Sequence, residues 1–328
     1  MGATIMHSTD NTRPGHALFR HFASICMLLA LLAGCSDGSD SGFGGGTVLQ
    51  GCADSGNCVS NPTLSIGGDR PAAVQIPIDY NTATRYPLLI VLHGFGADGN
   101  IQALYMGLDT RVDSKQIVMV TPDGTLNSDG RRFWNATQAC CARTPEEQMI
   151  DDVAYVSGLI EEAAATYSID PTRVGLIGHS NGGFMALRMA CEASELVTSV
   201  VSLAGSTFAD EMSCTPATRR VSVATIHGVL DDTILYNGVP NIYPGAIETT
   251  ERFAVLAGCN VAAARPGGTL DLIGSLPGEE SVVTEYPECL GQAAVELWTI
   301  QDGEHIPVPW TPAGSDAMVD WLLDHPRG

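Results

Sequence analysis

Positions 174–186 run Val-Gly-Leu-Ile-Gly-His-Ser-Asn-Gly-Gly-Phe-Met-Ala, with the serine at Ser180. An apolar run suited to a buried strand ends in a Gly-x-Ser-x-Gly pentapeptide, and a helix-forming run follows at once. So sharp a reversal needs glycine on both sides of the serine. A Cβ at Gly178 or Gly182 would crowd the strained backbone that lifts the hydroxyl into a cleft. The segment therefore dictates strand, tight turn and helix, with Ser180 at the apex, the setting in which a serine hydroxyl acts as a nucleophile. The pattern alone is not decisive. Gly34-Cys35-Ser36-Asp37-Gly38 also fits it, yet no strand precedes that copy and no helix follows.

The surroundings of Ser180 extend the same logic. Short apolar segments at 74–78, 87–92, 117–121, 174–177, 198–203, 221–226 and 295–300 read as strands. Segments at 147–167, 182–191, 246–256 and 315–323 carry helical spacing. Near-continuous apolar strands alternating with helices predict an α/β fold, a mostly parallel sheet covered on both faces. Positions 204–221 leave room for a loop but not for a lid domain, so the cleft is expected to be open.

In such a sheet, ligand chemistry gathers beyond the carboxyl ends of the strands, and three further segments fall there. Leu92-His93-Gly94-Phe95-Gly96 follows a strand, and its glycines let the backbone approach a substrate. The amides of Phe95 and Asn181 are the candidates to hold a developing oxyanion. Ile226-His227-Gly228-Val229-Leu230-Asp231-Asp232 supplies a carboxylate. Periodicity does not separate Asp231 from Asp232; Asp231 is taken because it stands four residues after the His of the His-Gly turn, where hydrolases with this turn resemble one another in placing the acid. The base follows by elimination among eight histidines. Only His305 and His325 lie downstream of Asp231, as the order Ser, Asp, His requires, and His305 stands in a loop after a predicted strand. The arrangement calls for no cofactor and no metal. Because the base must be neutral, activity is expected to fall below about pH 6 to 7.

Net charge and cysteines bound the context. A formal charge of −21 with only 16 Lys and Arg argues against nucleic acid and anionic partners, while a neutral ester, polymeric or not, meets no repulsion. Positions 1–35 read as an export signal: Arg13 and Arg20 precede an apolar run of about a dozen residues, too short to span a bilayer. The run closes in Leu32-Ala33-Gly34-Cys35, which resembles a bacterial lipobox. Cys35 is then a lipid anchor to a membrane, and Ser36 after it points to the outer membrane; the alternative is a plain cleaved secretory signal and a secreted or periplasmic protein. A Gly/Ser tether at 36–50 and a single domain at 51–328 complete the expected organisation. Setting aside Cys26 and Cys35 leaves eight cysteines, an even number that suits disulfides in an exported chain.

With these residues in hand, the chain resembles the bacterial extracellular polyhydroxybutyrate depolymerase and feruloyl esterase-like family of α/β-hydrolase serine esterases, over about positions 63–323. Besides the motifs above, the likeness includes Phe133-Trp134-Asn135, Cys140-Cys141 and Asp151-Asp152-Val153. It implies an exported esterase acting through a Ser180, Asp231, His305 triad, and it implies a Cys259 to Cys289 bridge. Around the base and after the acid the chain departs from the family pattern. Trp310 and Tyr236 stand there, and with Trp134 they are the candidate substrate-binding walls. The resemblance implies polyester or bulky aromatic esters as substrates. A peptidase of the same fold and an inactive surface-binding lipoprotein are the alternatives.

Overall fold

The computed structural model describes residues 64–214 and 219–327. Ten strands form one sheet: β1 Ser65–Ile66, β2 Ala72–Gln75, β3 Tyr86–Leu92, β4 Val118–Thr121, β5 Ile169–His179, β6 Ser199–Leu203, β7 Ser222–Gly228, β8 Arg265–Leu270, β9 Ser281–Tyr286 and β10 Val295–Ile300. Their spatial order is β1-β2-β4-β3-β5-β6-β7-β10-β9-β8. The six central strands from β4 to β10 pair in parallel, and two antiparallel strands flank them on each side. Among the described residues, six α-helices complete the fold: α1 Gly99–Tyr105, α2 Arg111–Ser114, α3 Asp152–Thr166, α4 Asn181–Glu192, α5 Ala246–Ala257 and α6 Pro312–Asp324.

Alternation along the central strands sends successive side chains to opposite faces, and each face builds its own core. Leu88, Ile90 and Leu92 of β3 pack with α3, α4 and α5, whereas Leu89 and Val91 of the same strand pack with α1, α2 and α6. Every residue of β3, β4, β6 and β7 is buried, which is why these strands read as unbroken apolar runs. This is the α/β-hydrolase arrangement expected from the sequence. Among the described residues, 204–221 carry a single turn of 3-10 helix and no lid domain.

Element ends differ from expectation where polar contacts, not periodicity, set them. The helix expected over 147–167 begins only at Asp152. Glu147–Met149 is an isolated 3-10 turn, Ile150 is extended, and Asp151 caps α3 by accepting the Ala154 amide. The fully buried Asp152 accepts from Arg70 at 2.7 Å and from the Asn135 amide at 2.7 Å, so it ties the helix start to two distant loops. The strand expected at 74–78 stops at Gln75. Helix α1 and strands β1, β8 and β9 were not expected. α1 buries Gly99, Gln102 and Ala103 while Ile101 and Leu104 are exposed, so it lacks an apolar core-facing stripe. β8 is an exposed sheet edge.

Cys259 pairs with Cys289, as the resemblance implied, and Cys191–Cys214 and Cys140–Cys141 are the other disulfides among the described residues. Cys26, Cys35, Cys52 and Cys58 lie outside those residues, as do the expected export signal and tether.

Candidate active site

Ser180 lies between β5 and α4 with φ 55° and ψ −121°, a region that ordinary residues avoid and that marks strain held by its surroundings. The surroundings explain how it is held. The Ser180 amide donates to the Leu203 carbonyl of β6 at 2.8 Å. A Cβ on Gly178 would lie 2.1 Å from the Gly182 carbonyl oxygen, and one on Gly182 would lie 2.2 Å from the Leu92 carbonyl oxygen. Backbone packs on backbone at both glycines, so nothing flexible can yield. Gly182→Ala is therefore expected to destabilise the protein by about 3 kcal/mol, the upper range of overpacking costs. Urea unfolding of parent and variant measures this, and a difference under about 0.5 kcal/mol would contradict the close approach.

The three candidate side chains meet at the carboxyl end of the sheet. His305 Nε2 is 3.0 Å from Ser180 Oγ, and His305 Nδ1 is 2.8 Å from Asp231 Oδ2. Since Asp231 can only accept, Nδ1 carries the ring proton and Nε2 is left to accept from the serine hydroxyl. Asp231 Oδ1 accepts the amides of Thr233 and Ile234 at 2.9 and 2.8 Å. His227 Nε2 approaches Oδ2 at 3.2 Å while donating to the Ile234 carbonyl at 2.7 Å. Burial pushes the Asp231 carboxyl up, but hydrogen bonds from His227 and His305 outweigh it and hold the group well below the ordinary carboxylate range. Asp232 is exposed, and His325 instead meets the Trp321 carbonyl beside the end of α6.

A second layer of contacts shapes the loop after β3. His93 is fully buried; its Nδ1 donates to the Gly94 carbonyl at 2.8 Å and its Nε2 accepts the Gly124 amide at 2.8 Å. Both ring nitrogens are thus used in the neutral form, and burial lowers its pKa to about 4. The Gly94 amide donates to Gln102 Oε1 at 3.0 Å and the Gly96 amide to the Arg132 carbonyl at 2.8 Å. Asn181 uses its side-chain amide on both the N–H and the carbonyl of Trp134, at 2.7 and 2.9 Å. Its backbone amide is the first of α4, where helix geometry offers no acceptor. Chemically, the assembly presents a hydroxyl, an imidazole aligned by an ionised carboxylate, and a helix start beside them.

A family model described as "Putative esterase", the Esterase family, matches residues 63–247, more than half of the chain. The chain belongs to this esterase family. It is an ester hydrolase. Its relatives include feruloyl esterase D of Neurospora crassa, 26% identical over an alignment of 309 residues that covers 90% of this chain and 92% of that protein. A protein named "Probable feruloyl esterase C" from Aspergillus niger is 27% identical, covering 64% of this chain and 72% of its own. Among solved structures, the acetyl xylan esterase from Aspergillus awamori superposes with a TM-score of 0.59 at 14% identity, covering 79% of this chain and 97% of that one, which establishes the shared fold.

In this esterase the three candidate walls have different surroundings. Trp134 is fully buried and offers no face to solvent; its indole N–H donates to the His93 carbonyl at 3.0 Å, so it braces the loop that carries Phe95. Tyr236 is half-buried, with its hydroxyl 2.9 Å from Thr299 and its ring edge-on to His227, which in turn meets Asp231. Trp310 is half-buried and packs edge-on against Tyr105. Sequence reasoning missed the bracing roles of His93, Gln102 and His227. Position within the glycine turns was the available signal for the two histidines, and Gln102 gave none, because its helix was not foreseen.

Proposed function

We propose that this protein is an exported serine esterase that cleaves carboxylic esters through an acyl-enzyme. Ser180 attacks the ester carbonyl, and His305 takes its proton and delivers it to the leaving alcohol. Asp231 holds His305 in the required tautomer and stabilises the imidazolium. The amides of Phe95 and Asn181 receive the oxyanion, and water then releases the acid. The observation that carries this reading is the continuous run of contacts from Ser180 Oγ through His305 to Asp231, at 3.0 and 2.8 Å.

The substrates we assign are bulky aromatic esters of the feruloyl type or polyesters of the polyhydroxyalkanoate type. Likeness to proteins named as feruloyl esterases supports the first, and the lack of a lid domain over 204–221 among the described residues suits either. We further assign 1–35 as a lipoprotein-type signal ending at Cys35, 36–50 as a tether and 51–328 as the catalytic domain, with the lipid chain holding the enzyme at the outer membrane. The three disulfides are in keeping with an oxidising compartment.

A phosphonofluoridate, which reacts with activated serines, tests the chemistry. One label per chain is expected, on the peptide containing Ser180, with loss of p-nitrophenyl acetate hydrolysis in proportion. Labelling elsewhere, or full labelling with activity retained, would overturn the assignment. Parallel assays on methyl ferulate, acetylated xylan and a polyhydroxybutyrate film test the substrate class, which fails if neither ferulate nor polyester is cleaved.

A further inference from the structure

We propose that His179 and Tyr105 are positioning residues that fix the loop carrying the base, His179 through the main chain of His305 itself and Tyr105 through that of Pro307. The proposal rests on the assignment of His305 as base. Nothing in the logic of the tight turn asks for a histidine before Ser180; the turn asks only for glycine at 178 and 182. Yet His179 is buried, its Nε2 lies 2.8 Å from the His305 carbonyl oxygen, and its ring lies 5.0 Å from the His305 ring. A carbonyl only accepts, so Nε2 must carry the proton and donate. The His179 ring also rests against Tyr105, 5.3 Å away, and the Tyr105 hydroxyl donates to the Pro307 carbonyl at 3.3 Å.

The loop between β10 and α6 has no regular structure of its own, so side chains and amides must hold it. Ser275 Oγ donates to the Val308 carbonyl at 2.6 Å and the Gly274 amide to the Pro309 carbonyl at 2.8 Å, which fastens the far end. At the near end, the His179 contact falls on the peptide unit of the base. One strand end thus carries both the nucleophile and the anchor of its base, one residue apart. Displacement of β5 moves Ser180 and His305 together and preserves their 3.0 Å contact. Burial, and then the adjacent His305 charge, lower the His179 pKa to about 3, so a neutral ring stands beside the imidazolium that forms during turnover.

Steady-state kinetics on p-nitrophenyl acetate and the rate of phosphonofluoridate inactivation, with thermal unfolding in parallel, test the proposal. His179→Leu is expected to lose about 100-fold in kcat, the scale of a 1 Å misplacement, with KM changed by less than about twofold and inactivation slowed in proportion. His179→Gln places an N–H near the original Nε2 and should recover at least about tenfold of that loss. His179→Asn is too short to reach and should not. Tyr105→Phe should lower kcat by about three- to tenfold.

A Leu variant within about threefold of the parent, or a Gln variant no faster than Asn, overturns the proposal; if the Leu variant does not fold, the Gln and Asn comparison decides alone. Ser180→Ala separates the two levels. If it turns over like the parent, the assignment of the base itself fails. If it is inactive while the His179 variants are normal, only the clamp fails.

Discussion

Ser180→Ala is expected to lower kcat on short aryl esters by about 10⁶-fold, and Asp231→Asn by about 10⁴-fold, with the fold of both variants intact. The second figure follows from the hydrogen-bond inventory around the carboxylate. Oδ1 accepts two amides, and Oδ2 faces the N–H groups of His305 and His227. An asparagine has one accepting oxygen and one donating nitrogen. If the oxygen keeps the amides of Thr233 and Ile234, the NH₂ group faces two other donors. His305 then relieves the conflict by moving its proton to Nε2, where it can no longer accept from Ser180. The variant should therefore retain substrate binding, with KM altered little, and lose turnover. Stopped or steady-state assays on p-nitrophenyl acetate measure both constants. An Asp231→Asn enzyme within about tenfold of the parent would mean that the carboxylate does not set the tautomer.

Stability is expected to fall steeply between about pH 6.5 and pH 4, because two buried, hydrogen-bonded histidines, His93 and His179, are held neutral in the folded protein. His93 is lowered from 6.5 to about 4 and His179 to about 3, in each case chiefly by burial. Below about pH 6.5 the unfolded chain binds these protons and the folded chain does not, so acid favours unfolding. The stability they carry is whole above that pH and is lost as pH falls through the window. Down to pH 4 each contributes about 3 kcal/mol, at 1.4 kcal/mol per pH unit. Together that rivals the net stability of a typical domain.

Asp231 works at lower pH. Its carboxyl is held below the ordinary range, so its contribution is present above about pH 4 and is lost only beneath it. Urea unfolding at pH 7, 6 and 5 should show a slope approaching two protons per molecule. His93→Asn should reduce that slope by about one proton while lowering stability at pH 7. An unchanged slope in the variant would show that His93 is not the group being titrated.

Local chemistry explains why so much of the site was legible in sequence. Gly178 and Gly182 announce a backbone crossing that no larger residue permits, so Ser180 identified its own turn. Its strand could be read because β5 is buried on both faces near that turn and needs an apolar run. His305 could be reached by elimination because histidines are few and chain order restricts them. Helix α1 and the flanking strands β8 and β9 stayed hidden for the opposite reason. They are half-covered or lie toward the sheet edge, so burial writes little pattern into them.

By itself the sequence determined the alternation of buried strands and helices and the strained turn at Ser180, since each depends on residue type within a few positions along the chain, and elimination among few histidines singled out His305 as a candidate. The tertiary structure alone decided that Asp152 starts a helix by pairing with Arg70, that Trp134 is a brace and not a wall, and that two histidines share Asp231. It alone placed His179 against His305. These depend on pairs 82, 41, 74 and 126 residues apart, whose meeting is fixed by how the strands order themselves in the sheet and not by any local preference.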